Sequence, residues 1–143
     1  MGVLTTFVAL TTDDAERVDL SFFDQTAFGE WAVDGRGLFD VELAALEEVL
    51  TGRELFEILA EPGDFVAENP DATATLRRLE PEVVNMLADR AGGDWLPTAQ
   101  RWTEYEELEG AEPADLESLL VELADLADRT RRSDRQLYLW VSL

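Results

Sequence analysis

The chain has no cysteine, no histidine and no lysine among its 143 residues. Each absence removes a class of chemistry. Without cysteine there is neither a disulfide framework nor a thiol nucleophile, and the redox compartment stays open. Without histidine there is no imidazole base, no Ser-His-Asp or Cys-His arrangement, and no zinc site of the usual ligand set. Without lysine there is no Schiff base and no Walker A lysine. The four serines, Ser21, Ser118, Ser133 and Ser142, read as cap, exposed helix, turn and strand residues. Apolar runs near the roughly 18 residues of a membrane span are also missing, as is a basic stretch leading into an apolar one, so a cytoplasmic protein without membrane contact is the expectation.

What is abundant is negative charge. Asp and Glu number 32 against 11 basic residues, all Arg, for a formal net charge of -21. Three readings coexist: a GC-rich coding bias that replaces Lys with Arg, adaptation to high salt, or a field that repels nucleic acid and membranes and attracts basic proteins. Charge of this size favours disorder. A hydrophobic content of 46 %, with four Trp and seven Phe, argues for a folded core. One domain spanning 1–143 is the expectation from length.

The C-terminal stretch organises the rest. Leu116, Leu119, Leu120, Leu123, Leu126 and Ala127 recur at helical spacing, which predicts a long amphipathic helix over 113–132 with one core face. Pro113 suits its first turn, and Arg129, Arg131 and Arg132 suit the negative end of its dipole. The following run 136–143 is apolar on both faces of a period-2 strand, which predicts an interior strand tied into a sheet. Val3 to Leu10 reads as its partner strand.

Between these ends the sequence predicts a short helix opening at Thr11 to Asp14 with Asp13 and Glu16 at capping-box spacing. A helical turn over 21–28 should carry Phe22, Phe23 and Phe28 inward, and a loop is expected over 31–39. Asp40 is the expected N-cap of a helix ending at Thr51 with Gly52 beyond it, and a further short helix is expected over 53–60. Breaks at 61–64 and 69–71 bracket candidate strands 65–67 and 72–79. Pro81 starts a helix ended by Gly92-Gly93, and Asp94 caps another carrying Trp95, Ala99 and Trp102 on one face. The predicted fold class is α+β: a helix-rich domain on a small, mainly antiparallel sheet with its N- and C-terminal strands paired.

Carboxylate-only chemistry survives the exclusions, because paired acids serve as acid and base or hold Mg²⁺ or Ca²⁺. With 32 acids almost any spacing arises by chance. Asp34-Gly35-Arg36-Gly37 lacks the alternation and closing Glu of an EF-hand loop and reads as a turn. No catalytic residue, metal ligand or cofactor is assigned.

The most informative pattern is charge segregation. Ten acids, Glu104, Glu106, Glu107, Glu109, Glu112, Asp115, Glu117, Glu122, Asp125 and Asp128, stand between Trp102 and Asp128 with no base among them; four arginines follow. A solvated face of two helices with a dipole-matched end accounts for this by itself. The interleaving of aromatics and carboxylates at 102–109 adds a second reading, a surface for an Arg- or Lys-rich partner, with charge for steering and rings for anchoring. Trp102 shares a helical face with Trp95 and Ala99 and belongs in the core. The candidate partner-binding residues are therefore Glu104, Tyr105, Glu106, Glu107, Glu109 and Glu112, facing a basic protein rather than nucleic acid. The leading expectation is a non-enzymatic protein that neutralises a basic partner, as a toxin-immunity protein or nucleic-acid-mimicking inhibitor does. The alternatives are a metal-dependent enzyme or accessory protein using carboxylates only, or acidity that serves solubility or salt tolerance alone.

The order of landmarks resembles that of the uncharacterised bacterial YfbM-like family. These are the opening Met1-Gly2 and strand, a helix ending Leu50-Thr51-Gly52, a helix start at Leu79-x-Pro81-Glu82, and a last helix running into a short apolar strand. The resemblance implies an α+β fold and no established activity.

Overall fold

A computed structural model describes residues 3–60 and 64–143. Among them, strands β1 (Leu4–Leu10), β2 (Ala32–Asp34), β3 (Asp64–Glu68), β4 (Ala74–Arg78) and β5 (Gln136–Ser142) form one antiparallel sheet. Their order is β2-β1-β5-β4-β3. The last strand is thus the centre of the sheet. β1 pairs along it from Leu4↔Ser142 to Leu10↔Gln136, and β4 pairs on its other side from Ala74↔Ser142 to Arg78↔Tyr138. This explains why residues 137–141 are apolar without alternation: both faces of β5 are covered, and all five side chains are buried.

On one face, Phe7, Ala9, Leu137, Leu139 and Val141 meet a helical layer. That layer consists of α2 (Val41–Thr51), α4 (Pro81–Asp89), α5 (Leu96–Trp102) and α6 (Pro113–Arg131). The predicted stripe of α6 is the layer's spine: Leu116, Leu119, Leu120, Leu123, Leu126 and Ala127 are all buried. Each such leucine contributes roughly 1.5–3 kcal/mol of burial. Trp95 at the N-cap of α5 and Trp102 at its end belong to the same core, Trp102 fully buried with its indole N–H donating to the Glu42 carbonyl at 2.9 Å.

On the other face, Val8, Leu10, Leu76, Tyr138 and Trp140 are covered by thinner elements: α1 (Thr12–Arg17) and 3₁₀ turns at Leu20–Phe22 and Gln25–Trp31. Phe23 stacks on Trp140 with ring centroids 4.7 Å apart, and Phe28 on Phe23 at 5.1 Å. The Trp140 indole N–H donates to the Leu20 carbonyl at 3.0 Å. Two of the three expected phenylalanines therefore turn inward. Phe22 does not: it is 83 % exposed, because in so tight a turn consecutive side chains diverge and Phe23 takes the place on Trp140.

Local departures from expectation have identifiable causes. The cap of α1 is Thr11, whose hydroxyl accepts from the Asp14 N–H at 3.1 Å, and not Asp13. The stretch 31–39 contains β2, an edge strand of three residues held to β1 at Phe7↔Val33, too short for period-2 patterning to show. Gly35 follows it because the chain presses onto β1. A Cβ there would lie 2.3 Å from the Thr5 hydroxyl oxygen. Asp40 sits at the N-cap of α2 but makes no capping hydrogen bond, its backbone being at φ 49°. Gly52 closes that helix in the left-handed conformation, as expected. Asp94 accepts from the Leu96 N–H at 3.1 Å, at the start of α5. The break predicted over Glu61-Pro62-Gly63 lies outside the described residues; β3 and β4 fall on the two candidate strands, and α3 (Leu55–Ala60) on the expected short helix.

Candidate functional site

The acidic segment lies on the connection between α5 and α6, which contains a 3₁₀ turn at Glu106–Leu108. Two buried apolar residues pin it, Trp102 before the segment and Leu108 within it. Because these two side chains turn inward, the residues around them must turn out: Glu104, Glu106, Glu107, Glu109 and Glu112 are all exposed. None of the five has an ion-pair partner among the described residues. Five of the six candidate residues are thus exposed along this one segment.

Tyr105, the sixth, is placed differently. Its ring is half-buried against the core and its hydroxyl donates to Glu48 Oε1 at 2.5 Å. The other Glu48 oxygen accepts from the Leu55 N–H at the start of α3. One carboxylate therefore ties the acidic segment to both α2 and α3. Burial, and next the bond to Glu48, push the Tyr105 phenol up to about 12. Tyr105 serves as an internal clamp, with only part of its ring at the surface.

The charge segregation of the sequence is partly undone in space. Arg36, from the turn after β2, reaches across to α6, where it pairs with Glu122 at 2.9 Å and donates to the Asp115 carbonyl. The arginines at the end of α6 are likewise engaged. Arg131 pairs with Asp89 of α4, Arg132 with Asp128 at 3.1 Å, and Arg129 donates to the Glu30 carbonyl at 2.6 Å. Arg135 lies over the Trp31 ring at 4.2 Å and donates to the Ala9 carbonyl at 3.0 Å. Arg36, Arg129, Arg131 and Arg135 hold separate segments together, whereas the carboxylates at 104–112 make no ion pair among the described residues.

A second feature was not foreseen from the sequence. Between the sheet and helices α2, α3 and α4 lies an open cavity of about 590 Å³. Its floor is the helix-facing side of β4 and β5, with Leu139 and Val141; its walls include Leu43, Ile58 and Val83. A volume of this size is in the range of small-molecule sites, roughly 300–1,000 Å³. The signal that could have pointed to it is the alternation of β4, where Thr75 and Arg77 occupy the face on which β1 and β5 carry Phe7 and Leu139.

Among the described residues, no group of three or more carboxylates is placed to hold a metal ion, and no helix is long and apolar enough to cross a membrane. Comparison with protein-family models, with curated proteins and with solved structures found no match to this chain.

Proposed function

We propose that this chain is a non-enzymatic binding protein that captures a basic protein partner, in the manner of a toxin-immunity protein or a nucleic-acid-mimicking inhibitor. The observation that carries this reading is the set of five exposed, unpaired carboxylates at 104–112 on a segment anchored by Trp102 and Leu108. Carboxylates without internal partners keep their charge free for an external cation, and an anchored backbone lowers the entropy lost on binding. The net charge of -21 supplies the long-range attraction that raises the encounter rate with a basic surface. Tyr105 holds the segment against α2 and so fixes its shape.

The test separates local from global charge. Glu104, Glu106, Glu107 and Glu109 are changed together to Gln. A control carries the same loss of charge at four exposed acids elsewhere, Asp13, Glu16, Glu57 and Glu82. For a basic protein retained on the immobilised chain, the first variant should slow association about ten-fold or more and flatten its salt dependence, and the control should do so much less. Equal effects of the two variants would reduce the segment to one part of a diffuse field and reject it as the site.

A further inference from the structure

The cavity above β4 and β5 combines an aliphatic floor with polar and cationic side chains on one edge. Along the helix-facing side of the sheet, β1 and β5 carry Phe7, Ala9, Leu137, Leu139 and Val141, all buried. At the next strand the pattern changes: Thr75 lies opposite Val141 and is half-buried, and Arg77 lies opposite Leu139 and is exposed. Residues two apart on a strand share a face, so Thr75 and Arg77 both border the cavity beside its aliphatic floor. Leu59 and Leu143 border the same cavity and are 39 % and 64 % exposed, which leaves apolar surface open at its mouth.

Charge at the cavity also departs from the chain's average. Among the described residues, three arginines, Arg53, Arg77 and Arg78, border it with three acids, Asp40, Glu47 and Glu80, although acids outnumber bases 32 to 11 overall. Arg53 pairs with Glu47 at 3.5 Å, and Arg78 donates to Gln136 Oε1 at 3.1 Å. The Arg77 side chain makes no hydrogen bond or ion pair with any described residue, in a protein whose acids are in large excess. We infer that this cavity is a binding site for a small amphipathic carboxylate. Its aliphatic body lies against Leu139, Val141, Leu43, Ile58 and Val83, and its carboxylate takes a bidentate hold on the Arg77 guanidinium, with the Thr75 hydroxyl as a further donor. The planar fork of a guanidinium matches a carboxylate in both shape and charge, and the apolar walls supply the remaining affinity by burial.

The inference is independent of the acidic segment and is tested with decanoate, decanol and decyltrimethylammonium as probes, each below its aggregation threshold, by amide shift titration of the full chain. Decanoate should saturate with its largest shifts at Leu43, Ile58, Thr75 and Val83. Decanol should bind at least about ten-fold more weakly, and the cationic probe should not bind there. Arg77→Gln, checked for folding by circular dichroism, should abolish the preference of decanoate over decanol, and Arg77→Lys should restore part of it. Decanoate that fails to saturate, equal affinities for decanoate and decanol, or shifts centred on the exposed Phe22 side of the sheet would each overturn the site. The probe comparison on the unaltered protein decides the matter even where Arg77→Gln unfolds.

Discussion

Two halves of one sheet face meet different fates. Beneath α6, the centre of the sheet is closed: Ala9 and Leu137 pack in one core with Leu119, Leu120 and Leu126 of α6, and all are buried. Beside it, over β4, the cover is the short helix α3 and the first turns of α2 and α4, and the space between is open. The strands on the two halves are hydrogen-bonded in one continuous ladder, so the backbone does not distinguish them. What differs is the cover. A helix of 19 residues carries a continuous apolar stripe that seals what it lies on, whereas a helix of 6 residues with no buried residue cannot. Closed packing gives stability, and incomplete packing leaves room for a ligand.

The largest expected effect that sharpens this contrast is a pair of truncations. Leu119→Ala, on the closed side, should cost about 2–5 kcal/mol in urea unfolding, because the fully buried site cannot collapse around the lost methyls. Ile58→Ala, in half-buried α3, should cost less than about 1.5 kcal/mol. Similar losses at both positions would mean that the cavity side is packed as tightly as the core.

Next in size is the turn that joins β3 to β4 at the edge of the open half. Asn69 is buried; its side-chain carbonyl accepts from the Thr73 and Ala74 N–H groups at 2.9 and 3.0 Å, and its amide donates to Ser21 and Thr73 hydroxyls at 3.0 Å each. Asn69→Ala strands two backbone donors and should cost about 1–3 kcal/mol. Hydrogen exchange should accelerate in β3 and β4 well before it does in β1; a uniform acceleration would show that the two halves unfold as one.

The smallest effect is read by pH. The Tyr105 phenol is held protonated by burial and Glu48, with its pKa raised from 10.0 to about 12, and burial raises Tyr138 as well. The folded chain therefore keeps its phenolic protons more tightly than the unfolded chain. That stability is complete below pH 10.0 and is lost as pH rises through about 12. Absorbance near 295 nm should show less tyrosinate at pH 10 in the folded protein than in the urea-unfolded chain, and Tyr105→Phe should remove a titration centred at about 12. A normal titration near pH 10.0 would place the Tyr105 ring in solvent and make it available to a partner.

Legibility along the chain followed the length and closure of the pattern. The six-residue stripe of α6 and the unbroken apolar run of β5 were readable because each extends over several periods, and the structure has them as expected, with β1 paired to β5. Gly52 and Pro81 marked helix ends because their backbone chemistry admits few other positions. The three-residue β2 was unreadable, since it exists only by pairing with β1. Phe22 was misplaced inward because composition reports that an aromatic is available and not which way a tight turn aims it. Of the candidate site, the exposure of Glu104, Glu106, Glu107, Glu109 and Glu112 followed from local polarity. The commitment of Tyr105 to Glu48, 57 residues away in sequence, did not.

Sequence alone determined the chemistry that is absent, the sign and size of the charge, and the two long elements around which the core closes, because these depend on composition and on periodicity within one segment. Only the tertiary structure decided which charges are spent and which stay free. Arg36, Arg129, Arg131 and Arg135 find partners on distant segments, whereas the acids at 104–112 and Arg77 find none among the described residues. Pairing of charges is a matter of distances between segments, and those distances exist only once the chain has folded.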